Sequence, residues 1–480
     1  MKKKSIAMNA VLNAIKTICT IIFPLVTFPY VSRVLHTERL GAYNYSSSII
    51  NYFSLFAGLG VSTYAIREGS KYREDRNEFS EFASEIFTIN TISTILSYTL
   101  LVLLLVFSDK LASYRTLLAV LSISIVFNTL GCEWIFSTYE EYGYITLRSI
   151  AFQILSMVFL FIFIHTEADI VKYAWLTVLS SSGANIVNCI TRRKYCDIRL
   201  TVNRKLFRHF IPIIVLFSNT LATNIYVNSD MTIVGYISGD YYTGLYSISS
   251  KLYFIIKNLL SSIIIVSIPR LSEALAKDPK EYETIAGNVF DTLLLLVMPV
   301  VVGMISIANN IVVLIGGEEY VGAVFSLKLL SIALLFCMFG WFYTSCVLIP
   351  NKQEKKVLCA TIIAAVSNLV LNFLLIPKWQ HNAAAFTTVI AEAISLFICF
   401  YYGRMAFKTT TKTHDILSIL VGNIAIIVVC SLVNHFIDSF ILSTVFCVMG
   451  SILMYGVVIF GLKNTIAIRL IKEIKIRMSK

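Results

Sequence analysis

Apolar runs of about 20 residues recur along the whole chain, separated by short polar loops. That pattern constrains the fold more than anything else in the sequence. A run of this length matches the hydrocarbon thickness of a bilayer as a helix. The chain carries 14% charged residues, where a soluble domain carries about 25%, and 57% of its 480 residues are hydrophobic. Period-two alternation is absent, which excludes a membrane barrel. The expected fold is an all-α polytopic membrane protein with about 14 transmembrane helices. The runs lie near 9–32, 42–66, 82–107, 114–137, 145–164, 170–190, 209–236, 242–267, 286–315, 323–349, 355–377, 382–405, 414–435 and 438–462.

Charge gives these spans a direction. With the N-terminus inside, about 30 of the 40 basic residues fall in inner loops or at the termini. Arg33, Arg39, Lys110, Arg115, Lys172 and Lys378 fall in outer loops, and Lys16, Lys251, Lys257 and Lys328 lie within spans. Both termini are therefore expected in the cytoplasm. The net charge of +12 is spread over many loops rather than gathered in one patch, so no nucleic-acid partner is expected. The ten cysteines and six histidines show no metal-ligand spacing, and neither a cofactor nor a bound metal centre is expected. The loops are too short for an inserted catalytic domain, and no G-x-x-x-x-G-K-[ST] loop occurs.

The longest insertion, 191–207, divides the chain, and the segments on either side repeat. Gly41–Ser47 reads G-A-Y-N-Y-S-S, and Gly244–Ser250 reads G-L-Y-S-I-S-S, at an offset of 203. At the same offset Arg67 falls on Arg270. W-I-F-S-T from Trp134 and W-F-Y-T-S from Trp341 align at an offset of 207. An even number of spans per repeat predicts two parallel six-helix lobes with pseudo-twofold symmetry, residues 1–200 and 201–410, with substrate between them. Residues 411–480 then supply two further helices and a basic cytoplasmic tail.

Three pieces of sequence carry a family resemblance. They are Y-A-I-R-E-G-S-K-Y-R (Tyr64 to Arg73), E-W-I-F-S-T-Y-E-E-Y-G-Y-I-T-L-R (Glu133 to Arg148) and D-M-T-I-V-G (Asp230 to Gly235) followed by G-L-Y-S. Nearly the whole chain resembles the oligosaccharide flippase, or polysaccharide transporter, family of the multidrug/oligosaccharidyl-lipid/polysaccharide exporter superfamily. It departs from the pattern at Ser137 and Thr138, where a glycine is expected. The resemblance implies a transporter rather than an enzyme, located in the bacterial cytoplasmic membrane. It implies movement of undecaprenyl-pyrophosphate-linked oligosaccharide units to the outer leaflet by alternating access, for O-antigen or capsule. It further implies a polysaccharide polymerase and a chain-length regulator as partners. A lipid II-type flippase and a cation-coupled multidrug antiporter remain as alternatives on the same fold.

Such a substrate needs a wet path, because sugar hydroxyls stripped of water without partners cost several kcal/mol each. Its pyrophosphate needs cations. Lys251 is the leading candidate, roughly 15 Å into its span. Lys16, Lys257 and Arg33 are further candidates, with Asn51, Asn228 and Tyr246 for the sugar. The antiporter alternative predicts acidic residues in the first spans, where this chain has Lys16. A carboxylate with amide and hydroxyl oxygens suits a hard cation. Asp230, Asn368, Asn372 and Thr388, with Glu392, are the expected coupling site, for Na+ or H+. Pro24, Pro29 and Pro299 interrupt their spans and predict bends.

Overall fold

The structure is a computed structural model that describes residues 6–203 and 206–478. Lys2, Lys3, Lys4, Arg204, Lys205 and Lys480, which the charge argument counts on the inner side, lie outside the described residues.

The described chain is helical throughout, with no strand. In chain order the α-helices are α1 (Ile6–Gly58), α2 (Val61–Gly69), α3 (Arg76–Phe107), α4 (Arg115–Gly131), α5 (Glu133–Thr138), α6 (Tyr142–Phe163), α7 (Ile170–Ser182), α8 (Ala184–Thr191) and α9 (Phe207–Ser238). There follow α10 (Asp240–Lys277), α11 (Pro279–Ser306), α12 (Ala308–Gly316), α13 (Val324–Phe342), α14 (Glu354–Gly403), α15 (Thr413–Phe436), α16 (Phe440–Gly461) and α17 (Thr465–Met478).

Ten helical stretches of the described residues are long and apolar enough to cross a membrane. Their surfaces agree with that environment. Ile92, Leu96, Phe107, Val366, Phe373, Ile452 and Leu453 are exposed, whereas Ser46, Asn188, Ser249 and Asn372 are fully buried. Large apolar groups outside and small polar groups inside is the arrangement that lipid favours, since polar side chains there must find partners within the protein. The chain is a multi-pass membrane protein.

Two helices are much longer than one crossing and each is broken once. The break in α1 is at His36, φ 59°, and that in α14 is at Gln380, φ 47°. Positive φ is costly for a side-chain-bearing residue, so each break is a fixed local feature. The sequence reading placed a loop over 33–41, but the helix resumes after His36 alone. Cys132, φ 44°, likewise separates α4 from α5 within the run read as one span over 114–137. The run over 323–349 continues beyond α13 as a π-helical segment, Tyr343–Leu348. A short amphipathic helix, α17, follows the last long one.

The chain forms two compact units, residues 1–244 and 245–480. Their boundary falls inside α10. In the first unit α1 packs on α3, α4, α6 and α9. Gly235 makes the last of these contacts possible, because a Cβ there would overlap the Tyr45 ring. In the second unit α13 packs on α14 and α11, and α15 packs on α16 and α11.

Candidate functional site

In the first unit two of the three sequence pieces that carry the resemblance, those beginning at Tyr64 and Glu133, converge. Tyr64, Phe79, Phe82, Trp134, Ile135 and Tyr139 share one buried cluster with Cys196 and Ile213. Arg73 ties it down, donating to the Thr138 carbonyl at 3.3 Å and to Glu140 Oε1 at 2.8 Å. Gly69 lets this packing close, with Phe82, Phe79 and Thr138 all near its Cα. These residues hold the ends of α2, α3 and α5 together.

That framework positions Glu133 at the start of α5. Its two carboxylate oxygens face two cations. Lys16 Nζ lies 3.1 Å from Oε1, and the Arg148 guanidinium lies 2.6 Å from Oε2. Arg148 is buried, donates also to the Ala184 carbonyl at 3.3 Å and sits over the Tyr144 ring. Lys16 and Glu133 are partly exposed. Two cations on one carboxylate leave a local excess of one positive charge. Lys16 stands out in the sequence as a charge in an apolar run, and Glu133 and Arg148 lie in one motif, but 117 residues separate Lys16 from Glu133 and no local signal joins them.

The other first-unit candidates are dispersed. Arg33 and Asn51 are exposed on α1. Asn228 donates to Asn224 Oδ1 at 3.3 Å, and Asn224 to the Thr220 carbonyl at 3.0 Å, so a polar ladder runs along α9. Asp230, two residues beyond Asn228, is buried within electrostatic reach of Tyr52. A network that sequence reasoning missed lies at the start of α9. His209 is buried between the Tyr64 hydroxyl, 2.7 Å from Nδ1, and Glu85 Oε2, 2.7 Å from Nε2. Arg208 also donates to Glu85 Oε2, at 2.8 Å. An ionisable residue at a span terminus was its only signal.

In the second unit Tyr246 is buried and Lys251 half-buried on α10. Lys257 Nζ lies 3.8 Å from Glu392 Oε1 and 5.5 Å from the centre of the Tyr253 ring. The Tyr253 hydroxyl donates to the same Glu392 oxygen at 3.3 Å. Glu392 is therefore engaged with a lysine and a phenol on α10.

The amides of the expected coupling site do meet. Asn372 donates to Asn368 Oδ1 at 3.1 Å. The hydroxyl that joins them is that of Thr387, which donates to Asn372 Oδ1 at 2.5 Å and lies 3.5 Å from the Asn368 amide nitrogen. Thr388 donates to the Ala384 carbonyl at 2.9 Å, and its neighbour Thr387 is the hydroxyl that meets these amides. One residue along a helix is a 100° turn, enough to change which neighbour a side chain meets. Asn368, Asn372 and Thr387 are buried, and their oxygens are of the kind a hard cation takes.

A family model described as "Polysaccharide biosynthesis protein" matches residues 6–275, more than half of the chain. The chain belongs to that family. Among curated relatives, the putative O-antigen transporter of Escherichia coli K12 is 23% identical over 418 residues, covering 83% of this chain and 97% of its own. The capsular polysaccharide biosynthesis protein CapF of Staphylococcus aureus is 24% identical over 407 residues, covering 83% and 98%. Among solved structures, the lipid II flippase MurJ in an inward closed conformation aligns with a TM-score of 0.75 at 18% identity, covering 94% of this chain and 99% of that one. An inward-facing multidrug resistance MATE family transporter aligns at 0.62 and 18% identity, covering 83% and 97%. At such identities the structural likeness shows the shared fold alone. The family member described here thus has a fold found in flippases and exporters.

Proposed function

We propose that this family member is a flippase, not an enzyme. It moves undecaprenyl-pyrophosphate-linked oligosaccharide units from the inner to the outer leaflet of a bacterial cytoplasmic membrane, by alternating access, for O-antigen or capsule. Family membership and the names of the relatives support the class of substrate. The observation that carries it within this chain is the pair of cations on Glu133. Lys16 and Arg148 hold more positive charge than the carboxylate cancels. A pyrophosphate is a stronger and more highly charged acceptor than Glu133, and it can take Lys16 from it. Lys251, half-buried on α10 of the second unit, is proposed as a separate phosphate-binding cation.

The proposed topology has fourteen crossings in two pseudo-symmetric halves. The ten long apolar stretches become twelve once those broken at His36 and Gln380 are counted twice. The pair α7–α8 and helix α9 supply the other two.

Coupling is proposed to run through Na+ held by oxygens of Asn368, Asn372 and Thr387, with H+ as the other ion. The test is export of polymer in cells lacking the native transporter, with and without sodium. Lys251→Glu and Lys16→Ala are each expected to cut export at least tenfold at wild-type protein level. Normal export by both variants overturns the substrate reading. Sodium-independent export by the wild type overturns the sodium site.

A further inference from the structure

A cavity of about 460 Å³ opens in the second unit, and none of the candidate residues above lines it. Three helices line it, each with one regular stripe. From α10 come Ile263, Val266, Ser267 and Arg270, and from α11 come Ile285, Asn288, Val289 and Thr292. Both sets follow the i, i+3, i+4, i+7 spacing of a single helix face. From α17 come Arg469, Leu470 and Glu473. Along α10 the stripe passes from Ile263 and Val266 to Arg270, about 10 Å nearer the polar helix end at Lys277. One wall is thus apolar deeper in the span and cationic at its rim.

The third wall is firmly held. Asn464 caps α17, its Oδ1 accepting from the amides of Ile466 and Ala467 at 3.0 and 3.1 Å. Asp415 on α15 accepts from the Thr465 amide at 2.7 Å and its hydroxyl at 2.6 Å. Ile466 and Ala467 are buried against Leu295, Ile419 and Ile459. The Arg469 guanidinium reaches Asp291 Oδ2 at 3.4 Å and the Asn288 carbonyl at 3.5 Å. These contacts are long for a charged donor, and the buried Nε has no hydrogen-bond partner. The Arg469 side chain is 31% exposed and lines the cavity.

Charge balance then selects the occupant. Arg270 and Arg469 are cationic, Glu473 is anionic, and Asp291 lies against Arg469. A simple anion would be drawn to the arginines but repelled by Glu473. A headgroup carrying a phosphate and a primary ammonium satisfies both signs. A quaternary ammonium has no N–H to donate to a carboxylate, so choline is the poorer fit. We infer that this cavity is a binding site for a phosphoethanolamine phospholipid, its phosphate on Arg270 and Arg469, its ammonium toward Glu473, and a chain along Ile263 and Val266. The inference rests on the membrane reading and is independent of which glycan, if any, is moved.

The test is native mass spectrometry of the full chain in detergent, titrated separately with phosphatidylethanolamine, phosphatidylglycerol, phosphatidylcholine and undecaprenyl phosphate. The expected order is phosphatidylethanolamine first. Arg270→Ala is expected to weaken it about tenfold, the scale of one charge-assisted hydrogen bond. Glu473→Lys is expected to reverse the order in favour of phosphatidylglycerol. Both side chains are exposed, so neither change threatens the fold. Equal retention of the three phospholipids, or an order unmoved by Glu473→Lys, overturns the inference. So does displacement of bound phosphatidylethanolamine by equimolar undecaprenyl phosphate, which would make the cavity a substrate site.

Discussion

Arg148 shows how one buried charge ties structure to transport. It is 6% exposed, and its principal acceptor is Glu133. Glu133→Gln keeps the shape but removes the charge, leaving Arg148 and Lys16 without their shared counter-ion. Removing one partner of a fully buried pair costs about 3–5 kcal/mol. Glu133 is 42% exposed, so water makes up part of the loss. The expected cost is about 1–3 kcal/mol, read as a lower midpoint of thermal unfolding in detergent. An unchanged midpoint would mean that Arg148 is held by the Ala184 carbonyl and Tyr144 instead. Cys196, in the polar link between the first and later spans, gives a pH-dependent case. Burial pushes its thiol up to about 12, and neighbouring Cys132 adds to this. The unfolded thiol ionises near 9. Between those two values the unfolded state binds fewer protons, so folding stability is full below pH 9 and falls as pH rises toward 12. At pH 7.5 a maleimide should modify exposed Cys359 well before Cys196, and denaturant should abolish the difference. Peptide mass mapping over a time course measures both rates, and equal rates would mean that Cys196 is open to solvent in the native protein.

Among the elements, α17 is the one most easily separated from the rest. Its N-terminus depends on Asn464 and Asp415. Asn464→Ala removes a side-chain cap and its bond to Ser418 Oγ, and a lost cap costs about 1 kcal/mol. The long spans should be unaffected, while α17 should fray. Limited trypsinolysis should then cut at Arg469 and Lys472 several-fold faster than in the wild type, with the upstream spans intact. Unchanged cutting would show that Ile466 and Ala467 hold the helix by packing alone. The same helix shows where the sequence stopped being readable. Runs of 20 apolar residues announce themselves through composition, and helices lie along every run read from the sequence. Six of the 14 residues of α17 are polar or charged, and they merge with the basic tail unless the cap at Asn464 is recognised. Cys132 and His36 break helices through positive φ without being glycine, so nothing in their identity marks the turn. Thr387 was missed for another reason. Spacing along one helix pairs Thr388 with Glu392, while the Asn368 and Asn372 amides that Thr387 meets lie on the preceding half of α14, across the break at Gln380. Likewise, Lys16 was legible as a charge in an apolar run, while its partner Glu133 was not.

For the molecule as a whole, the proposed crossing number and orientation stand or fall together. Inner loops hold about five times as many basic residues as outer ones. An odd number of spans anywhere would put consecutive basic loops on opposite faces and remove the bias. The structure supplies exposed positions on both expected faces. Lys277 closes α10 at the basic end, and Glu167 lies in the short link between α6 and α7. Asp438 lies between α15 and α16, and Lys352 follows the π-helical segment. In a cysteine-free background, single cysteines at these four places report sidedness directly. A membrane-impermeant maleimide applied to intact cells, with the outer membrane made permeable where one is present, is expected to label Glu167→Cys and Asp438→Cys. Lys277→Cys and Lys352→Cys should be labelled only after the cytoplasmic membrane is opened. Together these sites bracket groups of spans, so an odd error in the number of spans before Asp438 changes at least one. Labelling of Lys352→Cys from outside would remove an even count between α10 and α14. The reverse pattern at all four sites would place both termini outside and defeat an inner-leaflet origin for the substrate.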